Sequence, residues 1–257
     1  MSIANALLSM YAKCGSLQNA EKIFKTMVRR EIISWNAMIS GYGLNGRVYD
    51  AIRAFKQMLD DGIKPNGTTF LSLISCCSHS GMIEIGLQLF KSMVHDFNIT
   101  PTLFHYGCIV DLFGRSGYID EAKEIVDSMP FEPDASVWRA LLTACRLNSE
   151  LKLAKIIFEK LTEVEPMNSG NYILLSNIYA AAGLWSEVID LRTQLKEKGL
   201  TKHPGLSWIF VRSQFHCFIS GDQSHPRSGE ICANLSSLLS SLEDNGYVPD
   251  LRWDLYD

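Results

Sequence analysis

The chain has 257 residues, 47% of them apolar, which is ample for a folded core. Its 24 basic and 28 acidic residues give a formal charge of −4, which disfavours a protein that holds polyanions by bulk phosphate attraction. The sequence contains no run of about 18 apolar residues, so we expect no membrane span.

A repeating pattern occupies the first 200 residues or so. An anchor residue separates two apolar patterns of helical spacing, and successive anchors are 31 to 36 residues apart. The six anchors are Gly15, Gly46, Gly81, Gly117, Ser149 and Gly183. Self-similarity at this period is typical of a solenoid in which each unit is a helix, a turn and a second helix.

The apolar positions predict where the helices lie within each unit. We expect the first helix to run from ten residues before the anchor to four before it, and the second from about two after to thirteen after. Polar or proline-containing turns separate the units, at residues 29–31, 62–66, 98–101, 131–134 and 165–168. Because the two signals are independent and agree, the sequence predicts an α-solenoid over residues 1–203.

The helical repeat pattern ends near residue 203, and a different residue pattern follows. His203, Pro204 and Gly205 break the helical pattern, and the β-prone runs 206–211 and 215–219 predict a hairpin. A turn then leads to Ser224, His225 and Pro226, where we expect a last helix to open. Its apolar stripe is Ile231, Leu235, Leu238, Leu239 and Leu242, and Gly246 follows as a stop. The sequence predicts a small α+β extension of the solenoid.

The first helices carry a specific resemblance. Residues 5–15 (NALLSMYAKCG) and 35–42 (WNAMISGY) resemble the plant pentatricopeptide-repeat family. They lack the Trp, Leu-Gly and Tyr placement of tetratricopeptide repeats. The unit lengths resemble the subclass in which short, standard and long repeats alternate. The resemblance implies an all-α, right-handed superhelical solenoid with the small α+β extension.

The resemblance also divides the chain into segments. Residues 1–134 resemble pentatricopeptide repeats, in the order short (1–31), standard (32–66), long (67–102) and short (103–134). Residues 135–203 resemble two degenerate E-type repeats, 204–250 the E+ extension, and 251–257 the truncated lead-in to a deaminase domain.

For that family the resemblance implies single-stranded RNA binding, with one base read per repeat by its fifth and last residues. The pairs are Asn5 with Glu31, Asn36 with Asn66, Leu71 with Thr102, and Gly107 with Asp134. An Asn–Asn pair favours a pyrimidine in that family, whereas Leu71 and Gly107 should discriminate weakly. The alternative interpretation makes Asn36 an ordinary residue of a helix start and Asn66 a turn residue after Pro65.

Pentatricopeptide proteins with this ending resemble organelle factors for cytidine-to-uridine RNA editing. The deaminase of the longest members needs an H-x-E and a C-x-x-C motif for zinc, and neither motif occurs in this sequence. We therefore expect no catalytic residue, metal or cofactor, and no enzyme activity from the chain by itself. A deaminase or editing cofactor would dock at residues 135–250.

The family implies a mitochondrial or plastid location, although we expect no transit peptide within these residues. Residues 1–10 already follow the pattern of a first helix, so we expect a fragment of a longer protein. The competing hypothesis is a protein-binding helical scaffold of the tetratricopeptide type. The net negative charge and the lack of a basic stripe favour it.

Overall fold

The computed structural model describes residues 3–201, 205–211, 214–219 and 222–248. In this part of the chain, six helix–turn–helix units precede a two-stranded hairpin and a last helix. The first helices are α1 (Ile3–Lys13), α3 (Ile32–Leu44), α5 (Gly67–His79), α7 (Leu103–Arg115), α9 (Ala135–Asn148) and α11 (Ser169–Ala181). The second helices are α2 (Leu17–Thr26), α4 (Val48–Asp60), α6 (Ile83–His95), α8 (Ile119–Asp127), α10 (Leu151–Val164) and α12 (Trp185–Glu197).

The helices form two layers. Each first helix packs against the first helix of the next unit, from α1 through to α11. Each second helix packs against its own first helix and, up to α10, against the following one, but no second helix of the described chain contacts another. Since only the first helices approach one another along the whole array, they line the tighter, inner side of the stack. The predicted all-α solenoid is confirmed.

The apolar stripes that define the repeat pack between these layers. Met58 and Met93 are completely buried, and Phe24 and Phe55 are nearly so. The buried side chains form two clusters, and Phe113 packs against both of them. The core is therefore continuous along the units, as expected when each repeat buries its apolar face against its neighbours.

Neighbouring first helices approach very closely at their carboxyl-terminal halves. A Cβ added to Gly114 of α7 would lie 2.3 Å from the Cβ of Ala144 in α9. The Nδ2 of Asn148 donates across this contact to the carbonyl oxygen of Gly114 at 2.9 Å, and within its own helix to that of Ala144 at 2.8 Å. Asn45 bridges α1 and α3 in the same manner. Small residues and a bridging amide thus fix the distance between units.

The expected bounds of the first helices are wrong. Helix α3 begins fourteen residues before Gly46 and ends two before it, whereas the apolar pattern predicted ten and four. The pattern missed the first turn because that turn begins after a polar N-cap residue, which we had assigned to the preceding turn. The second helix α4 begins two residues after Gly46, as predicted.

The carboxyl-terminal extension has the predicted elements. Strands β1 (Leu206–Val211) and β2 (Gln214–Ile219) pair antiparallel, with Leu206 opposite Ile219. Helix α13 (Ser228–Asp244) starts later than expected, because Asp222 and His225 accept backbone N–H groups of Ser224 and Arg227 in a turn before it.

The carboxyl-terminal extension lies apart from the solenoid, and its apolar side chains are exposed. Among the described residues, neither the hairpin nor α13 contacts a helix of the solenoid. The predicted breaker at 203–204 and the predicted deaminase lead-in at 251–257 lie outside the described residues. None of the described helices combines the length and the apolar character needed to cross a membrane.

The anchors adopt the left-handed backbone conformation that ends each first helix. The five glycines have φ between 66° and 89°, and Ser149 has φ 58° and ψ 31°. This region costs a residue with a Cβ roughly 1–2 kcal/mol. Ser149 therefore holds a conformation in which glycine would be unstrained.

We expect Ser149→Gly to raise the free energy of unfolding by about 1 kcal/mol, because it removes this strain. Gly183→Ala is the matched control: it has φ 73° and no heavy atom within 4 Å of an added Cβ, so only backbone strain should lower stability, by a similar amount. Urea unfolding followed by circular dichroism measures both. Equal stability of Ser149→Gly and the parent chain would contradict the assignment of strain.

Candidate nucleic-acid interface

The predicted base-reading positions recur at one place on the first helices. Asn36, Leu71 and Gly107 are the fifth residues of α3, α5 and α7, and Asn5 lies at the same distance before its anchor in α1. Since these helices pack side by side in the same orientation relative to the turns, the four positions form one row along the inner layer. Asn5 is buried, while the other three are half-buried.

The last residues of the repeats are all helix N-caps. Glu31, Asn66, Thr102 and Asp134 immediately precede α3, α5, α7 and α9. The Oδ1 of Asn66 accepts the N–H of Thr69 at 3.1 Å. Asn66 thus has a structural role, as the alternative interpretation supposed. Within the described residues its Nδ2 donates no hydrogen bond, so a donor remains on this exposed side chain.

One of the four predicted pairs, Asn36 and Asn66, is joined by a hydrogen bond. The Nδ2 of Asn36 donates to the Oδ1 of Asn66 at 3.2 Å. The Oγ1 of Thr69, which is completely buried, donates to the Oδ1 of Asn36 at 2.7 Å. Thr69 therefore fixes which way the Asn36 amide faces, and the pair presents a defined set of donors and acceptors.

Sequence reasoning missed a row of buried polar residues at the third position of the first helices. Ser34 in α3 donates to the Oδ1 of Asn5 at 2.8 Å, as Thr69 does to Asn36. The backbone N–H of Glu31 donates back to Ser34, completing the reciprocal cap. A polar residue three positions after an N-cap is the spacing of a capping box, which is the signal that identifies this row.

The third-position residues make different contacts in the units whose reading position, Leu71 or Gly107, has no polar side chain. His105 accepts the N–H of Thr102 at its Nδ1, so its Nε2 carries the proton and donates to the carbonyl of Gly67 at 2.9 Å. In α9 the third residue is Val137, which faces Gly107. Ser34 and Thr69 therefore contact polar reading positions, whereas His105 bonds the backbone and Val137 packs against a glycine.

A second missed feature is a pair of exposed apolar residues. Ile33 and Phe104 are 50% and 64% exposed, although both lie in well-formed helices. Each precedes a reading position, Asn36 or Gly107, by three residues and so lies on the same helical face. Aromatic and apolar side chains beside hydrogen-bonding groups suit the faces of unstacked bases.

Two of the last residues of the repeats, Glu31 and Asp134, are acidic. Partial burial opposes ionisation of Asp134, but hydrogen bonds from Ser136 and from the N–H of Val137 outweigh it, and the pKa of Asp134 is lowered. Asp134 and Glu31 therefore disfavour phosphate close to them. Within the described ranges, no three His, Cys, Asp or Glu side chains lie together as a potential metal site.

Family comparisons cover most of the chain. The PPR repeat model matches residues 2–32, 68–96 and 104–132, and the PPR repeat family model matches 30–79. The E motif model matches residues 148–210.

Curated relatives come from Arabidopsis thaliana. A putative pentatricopeptide repeat-containing protein is 44% identical over 99% of this chain and 37% of its own length. A chloroplastic relative is 44% identical (97% of this chain, 34% of its own) and a mitochondrial one 42% (98% and 40%). The chain thus spans less than half the length of these relatives.

Among solved structures, maize PPR10 is similar with a TM-score of 0.63 and 20% identity, over 77% of this chain and 30% of that one. PPR10 in complex with an 18-nt psaJ RNA element has a TM-score of 0.53, 20% identity and coverage of 77% and 28%. At 20% identity, this structural likeness shows the fold alone.

We expect Thr69→Val to lower the free energy of unfolding by about 1–3 kcal/mol, because the Asn66 N–H and the Asn36 Oδ1 lose a buried partner. Thr162→Val is the control, since that hydroxyl only bonds the carbonyl of Glu159 on an exposed helix face. Thermal unfolding by calorimetry compares the two, and equal losses would contradict the positioning role of Thr69.

Proposed function

This chain belongs to the pentatricopeptide repeat family and carries its E motif, and from that premise we propose that it binds single-stranded RNA in a sequence-specific manner. Residues 1–134 would hold one nucleotide per repeat along the inner layer. The contacting residues would be Asn5, Glu31, Asn36, Asn66, Leu71, Thr102, Gly107 and Asp134.

The observation that carries the proposal is the coupled Asn36–Asn66 pair. Both amides are accessible, and buried Thr69 and the N-cap bond hold their orientation. A fixed set of donors and acceptors discriminates between base edges better than mobile side chains do, because less conformational freedom is lost on binding. We propose that this pair reads a pyrimidine.

Shape and stacking support the same assignment. The exposed side chains of Ile33 and Phe104 would pack against base faces beside the reading positions. The net charge of −4 and the acidic caps mean that bulk phosphate attraction contributes little. Four repeats with base-directed contacts would therefore bind weakly but selectively.

We further propose a role in organellar RNA processing, with cytidine-to-uridine editing as the reaction served. The E motif and the chloroplastic and mitochondrial relatives support a location in the plastid or mitochondrion. The chain would act as the site-recognition factor, without catalysis of its own. A deaminase supplied in trans would dock at residues 135–250, which we assign to two E-type repeats (135–203) and an E+ extension (204–250).

A protein-binding scaffold is the second candidate, and the acidic net charge favours it. RNA gel shifts at low salt, with and without a poly-pyrimidine competitor, separate the two. A shifted band that the competitor removes supports RNA binding, whereas no shift at micromolar protein favours the scaffold.

We expect Asn66→Asp to change base preference at one RNA position by about tenfold and to leave other positions unchanged, because the amide donor becomes an acceptor-only carboxylate. Binding to an array of single-nucleotide RNA variants measures it. Asn19→Asp, the same charge change on an exposed part of α2, is the control. A uniform loss of affinity across the array for Asn66→Asp would contradict base reading.

The partner surface would lie on the extension. Alternate residues of the hairpin leave one face apolar and exposed, including Trp208 at 66% and Phe215 at 70%. The stripe of α13 is also exposed, with Leu235 and Leu238 at 54% and 56%. Exposed apolar surface of this kind is typical of protein interaction sites.

We expect Trp208→Asp to lose most of the cytidine deaminase activity that the immobilised chain retains from plant organelle extract, because a charge enters the apolar face. Val28→Asp, at a fully exposed apolar residue of the first repeat, is the control and should retain it. The readout is cytidine-to-uridine conversion in added RNA. Equal retention by both variants would place the partner elsewhere.

A further inference from the structure

The unit that follows residue 134 keeps the geometry of a reading unit. Arg139 is the fifth residue of α9, the place that Asn36 has in α3. Asn168 is the N-cap of α11, the place that Asn66 has before α5. The register of the solenoid therefore continues one unit beyond the four pairs assigned from the sequence.

The two side chains converge on one carboxylate oxygen. The Nη1 of Arg139 donates to the Oε2 of Glu165 at 2.6 Å, and the Nδ2 of Asn168 donates to the same oxygen at 2.7 Å. The side chains of Arg139 and Glu165 are 38% and 32% exposed, so a ligand in the groove can reach them. Partial burial opposes ionisation of Glu165, but Asn168 and Arg139 outweigh it, and its pKa is lowered.

A buried polar residue again occupies the third position of the next first helix. Asn171 in α11 is completely buried and donates to the Oε2 of Glu165 at 3.4 Å. Its Oδ1 accepts no hydrogen bond from any described residue. In the first two repeats such a residue, Ser34 or Thr69, orients a polar reading side chain. Asn171 occupies the equivalent position, and its hydrogen bond goes to Glu165, the carboxylate that Arg139 also contacts.

We propose that Arg139, Glu165 and Asn168 form a fifth base-reading position, selective for guanine; this rests on the proposed RNA binding. Guanine presents the acceptor O6 beside two donors, N1–H and N2–H. The carboxylate of Glu165 accepts from both donors, and the guanidinium of Arg139 donates to O6. Uracil offers a single ring N–H, and cytosine and adenine have none, so they match the pair less well.

The charge of the segment agrees with a nucleotide in this position. Residues 135–203 carry 9 basic and 7 acidic residues, whereas residues 1–134 carry 12 and 14. The fifth unit therefore lies in a weakly basic segment, which favours an RNA phosphate more than the preceding repeats do. The hairpin and α13, which carry the exposed apolar part of the proposed docking region 135–250, make no contact with α9 in the described chain, so a partner held there leaves the fifth unit accessible.

The experiment is selection of a random single-stranded RNA library on the full chain, followed by sequencing. At one base per unit, guanine should be enriched about tenfold three nucleotides from the pyrimidine that Asn36 and Asn66 read. Arg139→Asn recreates the Asn–Asn combination with Asn168 and should convert the preference from guanine to pyrimidine. Arg53→Asn is the matched control, because that arginine forms a comparable exposed ion pair with Asp50 on α4.

The outcomes separate this inference from the function on which it rests. A switch to pyrimidine at this position alone supports it, since a merely structural ion pair would not change base identity. Guanine retained by Arg139→Asn overturns it. If Arg139→Asn unfolds, as thermal melting would reveal, the parent chain decides: base selection at the Asn36–Asn66 position without guanine at the fifth also overturns it. No selection at either position overturns the proposed RNA binding itself.

Discussion

The close approach of successive first helices is the contact on which the rest of the structure depends. At the α7–α9 contact, Gly114 and Ala144 leave no room for a further methyl group, and the amide of Asn148 joins the two backbones. This contact fixes the distance between equivalent residues in adjacent units. A row of side chains at the fifth helical position is consequently spaced by backbone packing, and not by the side chains themselves.

The residues at the repeat ends combine two tasks. An N-cap uses one oxygen to satisfy the free N–H groups of a helix start, and Asn66 uses its Oδ1 in this way. The same amide still has a donor that faces outward. A cap holds its side chain rigidly for reasons of helix stability, so a base contact made by the remaining group involves little further loss of entropy. Stability and the proposed recognition therefore favour the same residue types at these positions.

Much of the fold follows from periodicity, and less of the site does. The anchors, the paired helices and the hairpin are predictable because apolar spacing and turn residues act locally. The helix starts were placed one turn late, because Glu31 and Asn66 look like loop residues until their caps are seen. The row of Ser34, Thr69 and His105 was missed, since burial of a polar residue depends on the neighbouring helix. The base-reading assignments remain predictions.

The lack of contact between second helices has a mechanical consequence. Among the described residues, successive first helices pack directly on one another, whereas successive second helices touch only first helices. Bending the array changes the distances between α4, α6 and α8, which share no interface, and the contacts of each second helix with the following first helix adjust to the change. The superhelical pitch of the array can therefore change by small amounts at every unit. Such a change would let the array fit a bound polymer whose rise per residue differs slightly from the spacing of the units.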